Sequence, residues 1–598
     1  MNNNQNYITP VAANNLSDLF YERVKRSANK VAYRYYNEEN ESWQELSWHS
    51  VSKQVERWHA AFRREGLAKG DRVAIMMTNC PDWVVFDQAA YSLGLVVVPI
   101  YTNDRTDNIR YILENADVKV FYIEDPSRCT ALLSDDIQIA NILRIVTDKA
   151  IGNYSNPLLV QTENWLPSYT ETMQRVNIEP ADLATIVYTS GTTGKPKGVM
   201  LSHNNIFINA YSAATFEYFS EDDVFLSFLP LSHMFERTAG YYMPMVIGAE
   251  IVYARSIEKL AEDLINISPT ILVTVPRIFE RVYNKIHEKL SKKSPVAQAL
   301  FKSAVNIGWY RFLVQQKRQS WHPKLLLWPM LKFLVAGKIL AKLGGRLRLA
   351  VSGGAALAPE IAKTFIGLGL TISQGYGLTE TSPIVSSNKL NNNDPFSVGQ
   401  TLDNVEVKLG ENDELLIKGP AVMLGYWQNE SATKDAIDPD GWFHSGDKAK
   451  IENNHIYITG RIKEIIVLSN GEKVPPSDLE LAIGSDALFE QIIVLGEAKP
   501  FLTAIITMEQ ENWKTFAESL SVPSDESSLQ LDNVKNAFLK RINRQLEGFP
   551  GYAKIIRVHM VINPWTIEDG LITPTLKIKR SKIHEKYAKE ITALYHGH

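Results

Sequence analysis

The chain has 598 residues and carries 63 Lys plus Arg against 67 Asp plus Glu, a formal net charge of −4. Hydrophobic residues at 45% and charged residues at 22% are ordinary for a globular protein. This excludes a small disulfide or metal scaffold, a collagen and a disordered tail protein, and the near-neutral balance gives no global reason to expect nucleic acid. Cys80 and Cys129 stand in unrelated contexts with no CxxC pair, so a zinc site or redox dithiol is not expected and a reducing compartment is. The first ten residues are Asn-rich and lack the basic start and apolar core of a secretory signal. The greasiest stretch, 325–337, is broken by Pro329 and Lys332 and falls short of the roughly 20 residues that span a bilayer. These features predict a cytoplasmic protein.

In chain order, residues 16–28 have helical spacing after Asn14-Asn15, and 72–77, 96–101 and 118–123 are apolar runs of strand length. Residues 107–115 read as a helix between the last two, with Thr106 as N-cap. Strands alternating with helices predict βαβ units and a parallel sheet. Residues 277–348 hold 16 Lys/Arg and only Glu280 and Glu288, interleaved with Trp309, Tyr310, Phe312, Trp321 and two apolar runs. Two readings of this segment stand open: a basic amphipathic surface that touches anionic lipid, or helices packed on the body with solvated Lys heads. A boundary is expected near Gly460-Arg461. Before it, 442–458 reads as a β meander with turns at Asp440-Gly441 and Asn453-Asn454; after it, 464–468 and 491–496 read as strands and 475–483 as a capped helix. The predicted fold is α/β. A large body, 1–460, has layered, mostly parallel sheets with helices and a β-rich piece, and 461–598 forms a small mobile α+β domain.

The most informative stretch is Tyr188-Thr189-Ser190-Gly191-Thr192-Thr193-Gly194-Lys195-Pro196-Lys197-Gly198-Val199, at the end of an expected strand over 184–188. Glycines let backbone N–H groups curl round phosphate oxygens, hydroxyls add donors, and Lys195 and Lys197 add charge. It is not the NTPase P-loop, because the spacing is Gly191-x-x-Gly194-Lys195 and Pro196 follows. Farther on come Ser352-Gly353-Gly354-Ala355-Ala356, then Gln374-Gly375-Tyr376-Gly377-Leu378-Thr379-Glu380, then Gly441-Trp442-Phe443-His444-Ser445-Gly446-Asp447. Thr459-Gly460-Arg461-Ile462-Lys463-Glu464 and Pro574-Thr575-Leu576-Lys577-Ile578-Lys579-Arg580 complete the series. Taken singly, each has an ordinary alternative as a surface loop, a tight βα turn or a solvated basic tail.

In this order, over about residues 16–580, the motifs resemble those of the adenylate-forming acyl-CoA synthetases with their luciferase and peptide-synthetase relatives. The resemblance implies that residues 189–195 and Lys197 hold phosphate, that Gly354 and Ala355 floor the adenine pocket, and that Gln374, Gly375, Tyr376 and Gly377 border the adenine, with Tyr376 stacking on it. It implies Thr379 bonding a phosphate or the acyl carboxyl, Glu380 holding Mg²⁺, Asp447 and Arg461 at the ribose, Lys463 as hinge, and Lys577 bridging the acid and the α-phosphate. Many relatives have Gly before that lysine; Leu576 is the form of long-chain members. Residues 229–237 and 274–281 also look like long-chain fatty acyl-CoA synthetases. They place His233 and Met234 at the acyl site, with a buried helix-cap histidine as the alternative for His233. The implied reaction joins a long-chain fatty acid to CoA through acyl-AMP, with ATP and Mg²⁺. Loading of acyl carrier protein is the nearest rival, and a luciferase-like oxidase and a lipid-sensing binding protein are the more distant ones.

Overall fold

A computed structural model describes residues 6–132, 141–151, 156–168, 173, 176–189 and 195–596. Two large sheets form the body. One has nine strands, and at its centre Ile372–Gly377, Leu349–Ser352, Ile271–Thr274, Val224–Ser227, Glu250–Tyr253 and Val31–Asn37 run parallel, with antiparallel strands at both edges. The other has eight, in which Leu183–Thr189, Val96–Pro99, Arg72–Met76, Val118–Ile123, Arg144–Thr147 and Leu159–Gln161 are parallel. A four-stranded antiparallel sheet, Glu406–Leu409, Glu414–Lys418, Phe443–Glu452 and His455–Arg461, is the β-rich piece.

Beyond Arg461 a smaller α+β unit has its own sheet of Phe489–Leu495, Leu502–Met508 and Ile555–Val561. Strand alternation explains how this sheet is covered on both faces. Ile492, Val494, Ala504 and Ile506 point into one apolar core with Trp513 and Phe538, while Ile493, Leu495 and Ile505 point into another with Trp565, Ile583 and Tyr587.

Several local expectations shift. Thr106 is the first helical residue of Thr106–Asn115 rather than its cap, Arg105 occupies the cap position, and no side chain bonds there. The 96–101 run ends as a strand at Pro99. The 464–468 run shrinks to Ile466–Val467, because Ile462–Glu464 forms a helical turn first. The helix Pro476–Ile483 begins at Pro476 without a side-chain cap. In 277–348 the long helices Pro276–Ser291 and Pro295–Gln315 pack on the body. Pro295–Gln315 crosses Pro359–Gly367 so closely that a Cβ on Gly308 would sit 1.7 Å from the Gly367 carbonyl oxygen. Both cysteines are free thiols.

Helix Pro81–Ser92 lies inside the body with eleven of its twelve residues buried. It carries Asp87, which meets Arg237 at 2.5 Å with both side chains fully buried. Tyr242 and Tyr241 donate to the other carboxylate oxygen at 2.7 and 3.2 Å, and Arg237 donates to Tyr91 at 2.7 Å and to Thr185 at 2.9 Å. Burial pushes the Asp87 carboxyl up, and the guanidinium and phenols pull it back. An Arg237→Met substitution strands a buried carboxylate and is expected to cost about 3–5 kcal/mol, with Asp87→Leu added to it recovering much of the loss. Urea unfolding of the two variants checks this, and a single variant within about 1 kcal/mol of wild type refutes the role given to the pair.

Candidate active site

The loop 190–194 lies outside the described residues, so Ser190, Gly191, Thr192, Thr193 and Gly194 are not placed here; its two anchoring strands are. Leu183–Thr189 pairs antiparallel with Lys197–Ser202, with Thr189 opposite Lys197. Lys195 Nζ lies 5.0 Å from the centre of the Tyr111 ring, and Lys197 Nζ 5.0 Å from that of Tyr426. Tyr426 in turn donates to Glu380 Oε1 at 2.9 Å. Tyr111 and Tyr426 carry no motif of their own, and only the fold brings them beneath the lysines.

Strand Leu349–Ser352 leads into Gly353 and Gly354. A Cβ on Gly353 would come within 2.9 Å of the Phe235 ring, and Gly354 takes φ +81°, so glycine is favoured at the first by packing and at the second by its backbone. Gly354 and Ala355 are exposed at the rim. Gln374 braces this turn: its Oε1 accepts from Leu357 N at 3.1 Å and its amide donates to the Pro395 carbonyl. A Cβ on Gly375 would meet the Ser386 carbonyl at 3.0 Å, and one on Gly377 the Pro383 carbonyl at 1.8 Å, so close strand pairing accounts for both glycines.

Tyr376 donates to Asp447 Oδ2 at 2.6 Å, and Arg461 Nε lies 3.0 Å from Asp447 Oδ1, with Asp447 only 3% exposed. Burial first, then the Asp447 charge, pushes the Tyr376 phenol well up. Thr379 opens the short turn Thr379–Thr381, which leads on from the Tyr376 strand. Among the described residues the second Glu380 oxygen has no protein partner, and no group of three His, Cys, Asp or Glu gathers to cage a metal. A single carboxylate fits Mg²⁺, which keeps waters and phosphate oxygens as most of its ligands.

Lys577 stands on a tight loop of the smaller unit. Its N–H donates to Thr573 Oγ1 at 3.0 Å, and Thr573 N donates to its carbonyl at 2.8 Å. Leu576 adopts φ +61°, a left-handed conformation that costs a side-chain residue roughly 1–2 kcal/mol and explains why glycine suits this position. The Lys577 ammonium faces Asp447, Glu380, Glu464 and Arg461; crowding by protein, then Arg461, lowers its affinity for the proton, and the three carboxylates oppose that. The side chain stays within reach of water although protein walls it on most sides. Lys463, in the turn Ile462–Glu464, is exposed and has no ion pair among the described residues.

His233 caps the short helix Met234–Glu236: its Nδ1 accepts from Phe235 N at 3.2 Å, while Met234 is fully buried. Burial and then Lys577 bring its pKa down to about 4. Nδ1 is thus the acceptor of a neutral ring and the proton sits on Nε2, which leaves a donor at the other edge. The helix-cap role is present, and it does not compete with an acyl-site role for the same nitrogen.

A family described as "AMP-binding enzyme" matches residues 20–427, and one described as "AMP-binding enzyme C-terminal domain" matches 463–598. The chain belongs to the AMP-binding enzyme family. A long-chain-fatty-acid–CoA ligase of Mycobacterium bovis is 30% identical over 566 residues, covering 92% of each chain. A chloroplastic long-chain-fatty-acid–acyl-carrier-protein ligase of Arabidopsis thaliana is 28% identical over 614 residues, covering 92% of this chain and 82% of its own. The crystal structure of the adenylation domain of a carboxylate reductase from Mycobacterium chelonae superposes with a TM-score of 0.77 over 97% of this chain and 91% of its own, at 21% identity. Together these make the protein an acyl-activating, adenylate-forming ligase with the mixed α/β body and separate smaller domain of AMP-binding enzymes.

Because the folded-state pKa of His233 lies below the unfolded value of 6.5, the unfolded chain takes up the extra proton, and this group's contribution to stability is full above pH 6.5 and lost as pH falls toward 4. Nuclear magnetic resonance of the His233 ring should show it neutral at pH 5.5. A titration midpoint near 6.5 refutes this environment.

Proposed function

We propose that the protein is a long-chain fatty acid–CoA ligase that works through acyl-AMP. The observation that carries the reading is the gathering of charges where the two units join: Lys577, on the smaller unit, lies within the electrostatic reach of Asp447 and Glu380 on the body, and Arg461, at the boundary itself, stands 3.0 Å from Asp447. A fatty carboxylate and the α-phosphate of ATP are both anions, and a cation between them offsets their repulsion and stabilises charge gathering in the transition state.

In the first half, a carboxylate oxygen attacks the α-phosphorus in line. The new acyl–phosphate bond forms as the bond to the β-phosphate oxygen breaks, and pyrophosphate leaves. The strand ends around loop 189–197 supply Lys195 and Lys197 for the outer phosphates, Asp447 accepts from the ribose hydroxyls, and Tyr376 borders the adenine. Glu380 would hold Mg²⁺ on the triphosphate, where the ion neutralises phosphate charge. Neutral His233 has an Nε2–H to donate toward the acyl carboxyl. In the second half the smaller unit, residues 461–598, turns about Lys463 and withdraws Lys577. The CoA thiol then loses its proton, its sulfur bonds to the acyl carbon, and the bond to AMP breaks.

The relative from Mycobacterium bovis, by its name, supports a long-chain acid and CoA as acceptor. An apolar acyl pocket suffices for such a substrate, since each buried CH₂ contributes roughly 0.8 kcal/mol. The Arabidopsis relative favours a second reading in which a carrier protein is the acceptor.

Pyrophosphate release should depend on a long-chain acid, and acyl transfer should proceed to CoA. Transfer only to acyl carrier protein decides for the second reading, and no release with any medium- or long-chain acid refutes both. Lys577→Ala should abolish acyl-AMP formation but leave thioester formation from supplied acyl-AMP largely intact; equal loss of both halves overturns the role given to Lys577. Asp447→Asn should weaken ATP binding by about tenfold to a hundredfold, the worth of one or two charged hydrogen bonds, as measured by calorimetry.

A further inference from the structure

Past the helix Pro295–Gln315 the chain runs through Pro323–Leu327, Trp328–Leu331, Lys332–Ala336, Gly337–Leu340 and Ala341–Leu343, a nearly continuous succession of helical turns of changing pitch. One side of it is ordinary core: Trp328 and Ala336 are buried with Phe301, Val305 and Leu368. The other side is apolar as well, yet uncovered. Leu326 is 72% exposed, Met330 50% and Phe333 79%, with Leu327, Leu334 and Trp321 exposed beside them. The spacing 326, 330, 333 is that of one helical face. A helix apolar on both sides needs a second apolar phase, and contiguous exposed patches of this kind mark interaction surfaces.

The charge around the patch identifies that phase. Between Glu288 and Glu360 the sequence holds 13 Lys and Arg and no Asp or Glu. Lys324, Lys332, Lys338 and Lys342 are exposed within the same turns and have no ion pair among the described residues. Large apolar side chains flanked by lysines without a carboxylate partner, one of which, Lys324, rests its ammonium 3.5 Å from the centre of the Tyr310 ring, match the acyl boundary and the anionic headgroups of a lipid surface. Among the described residues no helix is long and apolar enough to cross a membrane, so the fit is to a segment lying in the plane of the interface.

We propose that residues 321–342 dock the protein on an anionic lipid bilayer, with Leu326, Met330 and Phe333 in the acyl boundary and Lys324, Lys332 and Lys338 at the headgroups. The same block reaches the active site: Pro295–Gln315 packs on Pro359–Gly367, which follows the glycine turn at 353–354. A docked molecule therefore holds its nucleotide cleft at a fixed distance from the phase in which long acyl chains dissolve.

Vesicle flotation of the full chain tests the proposal without reading enzyme activity. The protein should float with vesicles of equal parts phosphatidylcholine and phosphatidylglycerol, weakly with phosphatidylcholine alone, and less as salt rises. Leu326→Asp/Phe333→Asp should abolish flotation at an unchanged unfolding midpoint, and Leu326→Ser/Phe333→Ser serves if the charged pair misfolds. The triple change Lys324→Ala, Lys332→Ala and Lys338→Ala should weaken binding at least about tenfold, since each cation near an anionic surface contributes roughly fivefold. Wild-type protein that floats with neither vesicle, or apolar variants that float as well as wild type, overturns the proposal. So does light scattering that shows a wild-type dimer which these variants split into monomers, because the face is then covered by a second copy.

Discussion

The buried ion pair of Asp87 and Arg237 is the constraint on which the arrangement of the body depends. Two charges without water are tolerable only when further hydrogen bonds take up their remaining donors and acceptors, and here Tyr91, Tyr241, Tyr242 and Thr185 do so, although Arg237 Nε is left without a partner among the described residues. Those partners come from three separate pieces of chain. Asp87 and Tyr91 belong to the interior helix, Arg237, Tyr241 and Tyr242 to the helical turns that begin at His233, and Thr185 to the strand that ends at the glycine- and threonine-rich loop. Because charge satisfaction depends steeply on distance, the network sets where His233 stands relative to the strand end carrying Thr189.

A second set of charges joins the two units. Asp447 is held from both sides by Tyr376 and Arg461, and the Lys577 ammonium lies within the field of these groups and of Glu380 and Glu464. This junction is polar and partly open to water, unlike the apolar cores on either side of it. A charge-held contact of this kind separates at smaller cost than an apolar one, which is what the proposed turn of the smaller unit requires. The overall charge of −4 hides this clustering entirely.

Much of the fold was legible where burial is one-sided or complete over a whole element. Val118–Ile123 has the strand bounds expected of it, and the helix Leu16–Ser27, capped by Asn15, departs by one residue from the expected 16–28. Errors fall at ends, where one hydrogen bond decides: at Thr106, whose side chain makes no capping bond, and at 464–468, where a helical turn competes with strand pairing. The segment 277–348 left two readings open because its last turns are apolar on two opposite sides, one packed and one exposed. Tyr111 and Tyr426 were invisible in the sequence, and Phe235 and Glu464, though inside stretches it singled out, were given no part there. Each acts on a residue distant in sequence or through packing alone, and carries no spacing signal.

By itself the sequence determined the family, the order of its motifs and the residue types at each: glycines at tight turns, hydroxyls and lysines in one loop, a carboxylate after Ser445-Gly446. These are local properties, set by what a backbone conformation or a ligand atom demands of one residue. Only the tertiary structure decided that Gln374, Gly375 and Gly377 are explained by bracing and strand packing, that His233 is a neutral helix cap, and that Leu576 bears a left-handed conformation beside Lys577. Burial, protonation and backbone strain are sums over neighbours from many parts of the chain, so they exist only once the chain has folded.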